Sequence, residues 1–219
     1  MKKKKRAGPG RPEGNSFARD KILKAAEMAF AEHGYAGTSL REIVKRAHVT
    51  QALVTYYFGT KEALFKEIFM CRGREIATKR MQSLKALGDG GGRYTLRDVV
   101  ASYLRPALEM RRTRDGRAFI RLQARMHTEP PRFADRLRRE VYDDTVREYL
   151  SAIRKVAPQL SDRTAYWRMV LMIGAYLYAH SDAHRLAEVS RGVCDPNDLG
   201  EMLEQITAFV VGGLMAPDG

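Results

Sequence analysis

The stretch from Thr38 to Leu64, TSLREIVKRAHVTQALVTYYFGTKEAL, leaves the fold few choices. Leu40, Ile43, Val44 and Ala47 recur at the spacing of one helical face. His48-Val49-Thr50 interrupts that face, and Leu53, Val54 and Phe58 resume it on a second short segment. Thr38 or Ser39 stands where an N-cap belongs, and Glu42 follows Ser39 by three residues, as in a capping box. Thr50 caps Gln51–Phe58, Gly59 stops it, and Thr60 caps a longer helix that opens Lys61-Glu62-Ala63-Leu64-Phe65. Two short helices across a tight turn, with a third behind them, need a small apolar contact to fix their crossing angle. Ala47, Val49, Leu53 and Val54 supply it, leaving Gln51, Ala52, Thr55 and Tyr56 to point outward. Periodicity alone fits two readings: an ordinary helical hairpin with a polar face, or a helix-turn-helix that enters a nucleic-acid groove.

The same helical period runs through the rest of the chain, and no convincing strand or internal repeat interrupts it. Residues 1–15 carry Gly8, Pro9, Gly10, Pro12 and Gly14 and read as non-helical. A first helix is expected from Phe17 to Gly34, with Ile22, Leu23, Ala26, Ala29 and Phe30 mainly on one face. The helix opened by Lys61 should reach about Leu87, before Gly88-Asp89-Gly90-Gly91-Gly92 breaks it. Further helices are predicted over Thr95–Arg112, Arg117–His127, Arg132–Ala157, Asp162–Arg185 and Pro196–Leu214, the last capped by Asp195. The chain therefore reads as all-α, with a flexible arm at 1–16, a helix-turn-helix unit at 17–64 and a larger helical body at 65–219.

Charge narrows the partners. Net charge is +13 over 219 residues, a balance that usually meets a polyanion. Lys2, Lys3, Lys4, Lys5, Arg6, Arg11, Arg19 and Lys21 face only Glu13 and Asp20 at the N-terminal end. Cys71 and Cys194 lie far apart, outside any metal-ligand spacing, which fits a reducing cytoplasm. No apolar run follows the basic N-terminus as in a signal peptide, and none is long enough to span a bilayer. No P-loop, G-x-S-x-G or Ser/His/Asp arrangement is present, so no enzyme class and no cofactor is indicated. His180 and His184 have the i, i+4 spacing of a metal pair but lack a third ligand.

Residues 18–64 resemble the N-terminal domain of the tetracycline-repressor (TetR) family of transcriptional regulators. The resemblance rests on Ile22-Leu23-Lys24-Ala25-Ala26, Phe30, Gly34-Tyr35, Thr38-Ser39-Leu40, Ile43, Ala47, Val49-Thr50, Tyr56-Tyr57-Phe58 and Lys61-Glu62-Ala63-Leu64. Three positions depart from the family pattern: His48 replaces the usual turn glycine, Val44 a common alanine, and Thr55 an aromatic. His tolerates a left-handed backbone better than most residues. The resemblance implies a dimer that binds double-stranded DNA at a palindromic operator and responds to a small molecule. Thr38, Ser39 and Arg41 would touch phosphates, with Thr50 capping the reading helix. Gln51 would read adenine edges, and Ala52 and Thr55 would meet thymine methyls. Tyr56 would reach bases or backbone, and Tyr57 and Lys61 would hold phosphates. Gly10-Arg11-Pro12 resembles the core of an AT-hook and places Arg11 as a minor-groove candidate, against the alternative of a solvated tail.

In that family the remaining residues form a ligand-binding and dimerising body. Two late segments are apolar enough for a four-helix interface between copies. One carries Trp167, Val170, Leu171, Ile173, Gly174, Tyr176 and Leu177; the other carries Leu199, Met202, Leu203, Ile206, Phe209, Val210, Gly213 and Leu214; packing in the core of a single chain is the competing reading. A pocket is expected among Leu104, Phe119, Leu122, Met126, Tyr149, Trp167 and Leu171, with Arg125 or Arg121 facing any anionic group; plain core packing is the competing reading. The Phe119–Tyr149 region resembles members that sense fatty acyl compounds, which implies an apolar or acyl-type effector. Two other classes stay open at this level. An enzyme carrying a small helical module would turn over substrate, and a ligand-free architectural DNA binder would show no operator preference.

Overall fold

The computed structural model describes residues 13–217, apart from 128, 130 and 182. Among them are ten helices and no strand. They are α1 (Glu13–Gly37), α2 (Leu40–Ala47), α3 (Gln51–Phe58), α4 (Lys61–Asp89), α5 (Leu96–Met110), α6 (Arg114–Arg125), α7 (Pro131–Val156), α8 (Asp162–Ser181), α9 (Ala183–Val189) and α10 (Leu199–Met215). None of them is long and apolar enough to cross a membrane.

Local chemistry explains most boundaries. Ser39, Thr50, Thr60, Thr95 and Thr113 each accept a backbone N–H from the first turn of the helix they precede. Thr95 and Asp98 complete a reciprocal capping box. The regular part of α1 ends where expected, at Gly34, whose φ of 72° breaks the helical path. Its start differs, because α1 begins at Glu13 and residues 13–16 are helical rather than part of a loop. A glycine in the first turn costs only about 1 kcal/mol, and the apolar stripe behind it carries the helix. The C-terminal segments also shift. α8 stops at Ser181 and α9 follows as a separate helix. Asp195 does not cap α10: its carboxylate accepts from Asn197 N in a tight turn, and Asp198 caps instead, accepting from Gly200 N and Glu201 N.

The border between residues 64 and 65 falls inside α4, and the core runs through it. Phe30 meets Phe65 edge-on at 4.9 Å between centroids, Phe65 stacks on Phe69 at 6.4 Å, and Phe69 reaches Phe119 at 5.8 Å and Tyr142 at 6.2 Å. Those four phenylalanines are fully buried, each worth about 1.5–3 kcal/mol of apolar transfer. Glu27 on α1, almost fully buried, takes a two-point ion pair from Arg72 on α4 at 3.0 and 3.2 Å. The helix-turn-helix is thus seated on the body through α1 and α4 and shares its core.

Candidate nucleic-acid interface and helical body

The turn between α2 and α3 is built around His48. Its φ of 53° and ψ of 48° are left-handed, and its N–H reaches back to the carbonyls of Val44 and Lys45. His48 therefore adopts the conformation a glycine would take there. Ile43, Ala47, Val54 and Phe58 are buried, which fixes α3 by its inner face. Its outer face carries Gln51, Ala52, Thr55 and Tyr56, all exposed, with Tyr56 at 76%. The Tyr56 ring stands edge-on to Tyr57 at 5.2 Å. Thr50, Ser39 and Arg41 are exposed beside this face. Arg46, by contrast, is engaged by Glu32 at 2.7 Å and Glu42 at 3.4 Å.

Three residues expected at phosphates are placed differently. Thr38 is only 2% exposed, and its hydroxyl donates to the carbonyls of Gly34 (2.8 Å) and Ala29 (3.1 Å). It closes the end of α1 and has no side-chain path to DNA, so the reading of Thr38 as a phosphate contact is corrected. Lys61 is half-buried; its ammonium donates to Tyr35 O and Thr38 O, both at 2.9 Å, and lies 4.3 Å from the centre of the Tyr35 ring. Tyr57 is half-buried against the core, so only part of its ring faces outward. Arg11 lies outside the described residues.

In the body, Leu104, Phe119, Leu122, Met126 and Tyr149 are buried in the interior, as their apolar spacing predicts. Trp167 and Leu171 are not: each is 64% exposed on the outer face of α8. The stripe they belong to has two sides. Tyr176 and Leu177 point into the core, whereas Trp167, Val170, Leu171 and Tyr178 point out, beside the exposed Phe209 of α10. Trp167 and Leu171 therefore leave the interior-pocket set. Arg125 also leaves it, because it is exposed and donates to Glu32 O on α1 at 3.1 Å; Arg121 is exposed as well. A groove of about 940 Å³ opens between α8, α9 and α10, floored by Ala175, Ala179, Met202 and Ile206, with Arg185, Asp195 and Glu201 at its rim. His180 is buried in the core on α8, and the side chain of His184 lies outside the described residues.

Sequence reading missed two groups. Arg80 is 1% exposed, although guanidinium groups belong at the surface. Its signal was present in the spacing: Phe69, Gly73, Ile76 and Arg80 recur at four and three along the buried face of α4. Glu129 accepts a 2.7 Å hydrogen bond from Tyr35 N, joining the segment before α7 to the end of α1. A Cβ on Gly34 would come within 2.9 Å of the same carboxylate, so the glycine also makes room for it. Directly before Pro130-Pro131, Glu129 carries no periodic cue.

Comparison with known proteins agrees with this architecture. Residues 22–68 match the family model described as bacterial regulatory proteins, tetR family. Residues 101–213 match the tetracyclin repressor-like C-terminal domain. Over 71 residues the chain is 31% identical to the HTH-type transcriptional repressor AcnR of Corynebacterium efficiens, covering 32% of this chain and 36% of the relative. Such matches span between 24% and 36% of the length of the curated relatives. The fold is similar to that of the fatty acid degradation regulator FadR from Bacillus halodurans, with a TM-score of 0.66, 16% identity and coverage of 97% of this chain and 100% of that one. It is also similar to the transcriptional regulator FadR from Bacillus subtilis in complex with stearoyl-CoA, with a TM-score of 0.61, 14% identity and coverage of 89% and 98%.

Proposed function

The chain belongs to the tetracycline-repressor family of bacterial transcriptional regulators, and we propose that it is a cytoplasmic, ligand-responsive repressor that binds a palindromic operator as a homodimer and is released by a small, largely apolar effector. The observation that carries the reading is the two-sided α3. Val54 and Phe58 lock one side, while Gln51, Ala52, Thr55 and Tyr56 stand free on the other. That is the arrangement a recognition helix needs to enter a major groove, with Ser39 and Arg41 set beside it for the phosphates. Gln51 can pair two-fold with one adenine, a discrimination of about 1–3 kcal/mol.

The dimer is supported by the outer face of α8 and α10. Trp167, Val170, Leu171 and Phe209 are large and apolar, and one chain leaves all of them in water. Ala208, Gly212 and Gly213 on α10 and Gly174 on α8 are small and exposed on the same helices, which permits close helix approach. A two-fold contact there would give two reading heads, as a palindrome requires. An apolar effector is supported by the groove between α8, α9 and α10, floored by Ala175, Ala179, Met202 and Ile206, and by the similarly folded Bacillus subtilis regulator that holds stearoyl-CoA. Effector binding would favour a spacing of the two heads that no longer matches successive grooves.

The test is selection of a randomised duplex pool by the full chain at near-physiological salt, followed by sequencing. Enrichment of a palindrome with two half-sites is expected. A pool retained by charge alone, without sequence preference, would refute the operator reader and leave an architectural DNA binder.

A further inference from the structure

Two guanidinium groups lie buried in the body without an acid. Arg80 on α4 donates through Nε to Tyr103 O at 2.8 Å, and its Nη2 has no hydrogen-bond partner. Its carbon centre sits 3.6 Å from the centre of the Tyr103 ring and 5.3 Å from that of Tyr176. Arg111, at the end of α5, is also buried, and its Nη1 points at Met202 Sδ, 3.1 Å away. A thioether is a weak acceptor for a cation. Between the two stands His180, buried, with its ring 5.4 Å from Tyr176 and neither ring nitrogen hydrogen-bonded. Among the described residues no carboxylate pairs with either guanidinium, and the groups that bear on them are Tyr103, Tyr142, Tyr176 and Arg117. Arg72, also drawn inward, has Glu27.

Burying a charge without an acid is expensive; at Arg80 burial works against the charge, but Tyr103 and Tyr176 beside it hold the guanidinium above its ordinary value. Burial, and then the nearby Arg117, hold the Arg111 guanidinium below its ordinary value. Burial, and then Arg111, push the His180 imidazole down to about 3, so it sits there neutral, offering one donor and one acceptor. The cluster borders a groove. Met202, the weak partner of Arg111, is part of the floor of the groove between α8, α9 and α10, whose other floor residues are apolar. At about 940 Å³ the groove has the volume of a small-molecule site.

We propose that the effector is an apolar monocarboxylate whose acid group passes Met202 to lie among Arg111, His180 and Arg80, while its hydrocarbon occupies the groove between α8, α9 and α10, along the edge of the proposed dimer face where Tyr178 and Phe209 also line it. This rests on the reading of the body as the effector-binding domain and sharpens it, by requiring an acid on the ligand. The carboxylate would take the fork of Arg111 in place of the methionine sulfur and accept from the unpartnered Nη2 of Arg80 and from His180. A neutral molecule of the same length would fill the groove and leave the cations unpaired.

The test is calorimetric titration of the full chain with dodecanoate and, separately, with dodecan-1-ol, both below their aggregation limits. A charge-assisted pair predicts that dodecanoate binds saturably and roughly ten- to a hundredfold more tightly than the alcohol. Arg111→Met and Arg80→Met should each remove most of that preference. Arg111→Met should melt within a few degrees of the parent, because removing a cation that has no acid partner strands no opposite charge; Arg80→Met also loses a hydrogen bond to Tyr103 O and the contact with two tyrosine rings, so it should melt lower, and its fold is checked by circular dichroism before titration. Equal affinity for acid and alcohol, absence of saturable binding of dodecanoate, or a preference that survives Arg111→Met and Arg80→Met would each overturn the proposal. The comparison on the parent chain decides the matter even if a variant fails to fold. Release of selected operator DNA by dodecan-1-ol as readily as by dodecanoate would leave effector response standing and remove the acid site alone.

Discussion

Lys61 separates two roles that a lysine beside a reading helix can play. Replacing it with methionine keeps the stem and removes the ammonium. In the structure that ammonium is turned inward, donating to Tyr35 O and Thr38 O at 2.9 Å each and covering the Tyr35 ring. A hydrogen bond from a charged donor contributes about 1.5–3 kcal/mol. Partial rehydration of the two carbonyls in the variant offsets some of the loss, so Lys61→Met should cost about 2–4 kcal/mol of stability. Urea unfolding of parent and variant at equal chain concentration measures this, equal concentration being needed for a chain proposed to dimerise. The phosphate role makes a different prediction. Each neutralised phosphate adds ~0.9 to the slope of log affinity against log salt. Binding to a random-sequence duplex between 50 and 200 mM salt, at urea-free conditions where both proteins are folded, reads that slope. An internal clamp leaves it unchanged. If the slope fell by ~0.9 while the urea midpoint stayed put, the inward geometry would be the wrong account of Lys61.

Four further outcomes are expected. His48→Gly should stabilise the chain by about 0.5–1 kcal/mol, because glycine adopts the left-handed turn without the Cβ clash and returns only part of that gain as chain entropy; a lower melting temperature would show that the His48 ring contributes a contact of its own. Gln51→Ala should leave thermal unfolding unchanged and relax discrimination at one base position per half-site by about 1–3 kcal/mol, and a uniform loss across all positions would place Gln51 on the backbone instead. Trp167→Asp should convert a dimer to a monomer in light scattering, whereas an unaltered mass would move the interface off α8. His180, held down to about 3 against an ordinary 6.5, binds a proton in the unfolded chain before it does in the folded one. The stability it confers is therefore complete above 6.5 and is lost as pH falls below that value, by up to about 1.4 kcal/mol per unit. His180→Phe should flatten that part of the pH–stability curve, and an identical curve would contradict a buried neutral imidazole.

The sequence made the helix-turn-helix legible because its information is local. Ser39, Thr50 and Thr60 satisfy N–H groups within three residues of themselves, so the caps could be read without knowing the fold. His48 at the turn, though unusual, occupies the same backbone well as the residue it replaces. What could not be read was direction. Thr38 and Ser39 are adjacent and chemically alike, yet one closes α1 and the other caps α2, and only the approach of α1 decides which. Trp167 and Tyr176 lie on one apolar helix, and the period gives a wide stripe without saying which edge faces the core. Asp195 suited a cap by its sequence, but its carboxylate turns onto Asn197 N in a tight turn, and Asp198 caps α10 instead. Arg80 is hidden from such a reading because charge marks the surface, although its place in the α4 stripe points inward.

The end of α1, around the Gly34 kink, is tied to distant parts of the chain. Tyr35 receives Lys61 from α4 on its carbonyl and gives its N–H to Glu129, which lies in the body ahead of α7. Just before the kink, Glu32 O accepts from Arg125 at the end of α6. Gly34 has the left-handed backbone that turns the chain, and its missing Cβ leaves the space in which the Glu129 carboxylate sits. The reading helices therefore hang from the body by a junction held on one side by α4 and on the other by the α6–α7 connection. If an effector moves α6 or α7 relative to α4, the two holds are displaced against each other at Tyr35, one residue past the kink. Regulation of a DNA binder needs a coupling free energy of only about 1–3 kcal/mol. The single charge-assisted hydrogen bond between Glu129 and Tyr35 is worth about 1.5–3 kcal/mol. On the proposed reading, gaining or losing that one contact is enough to transmit the signal, and no refolding of the helix-turn-helix is required.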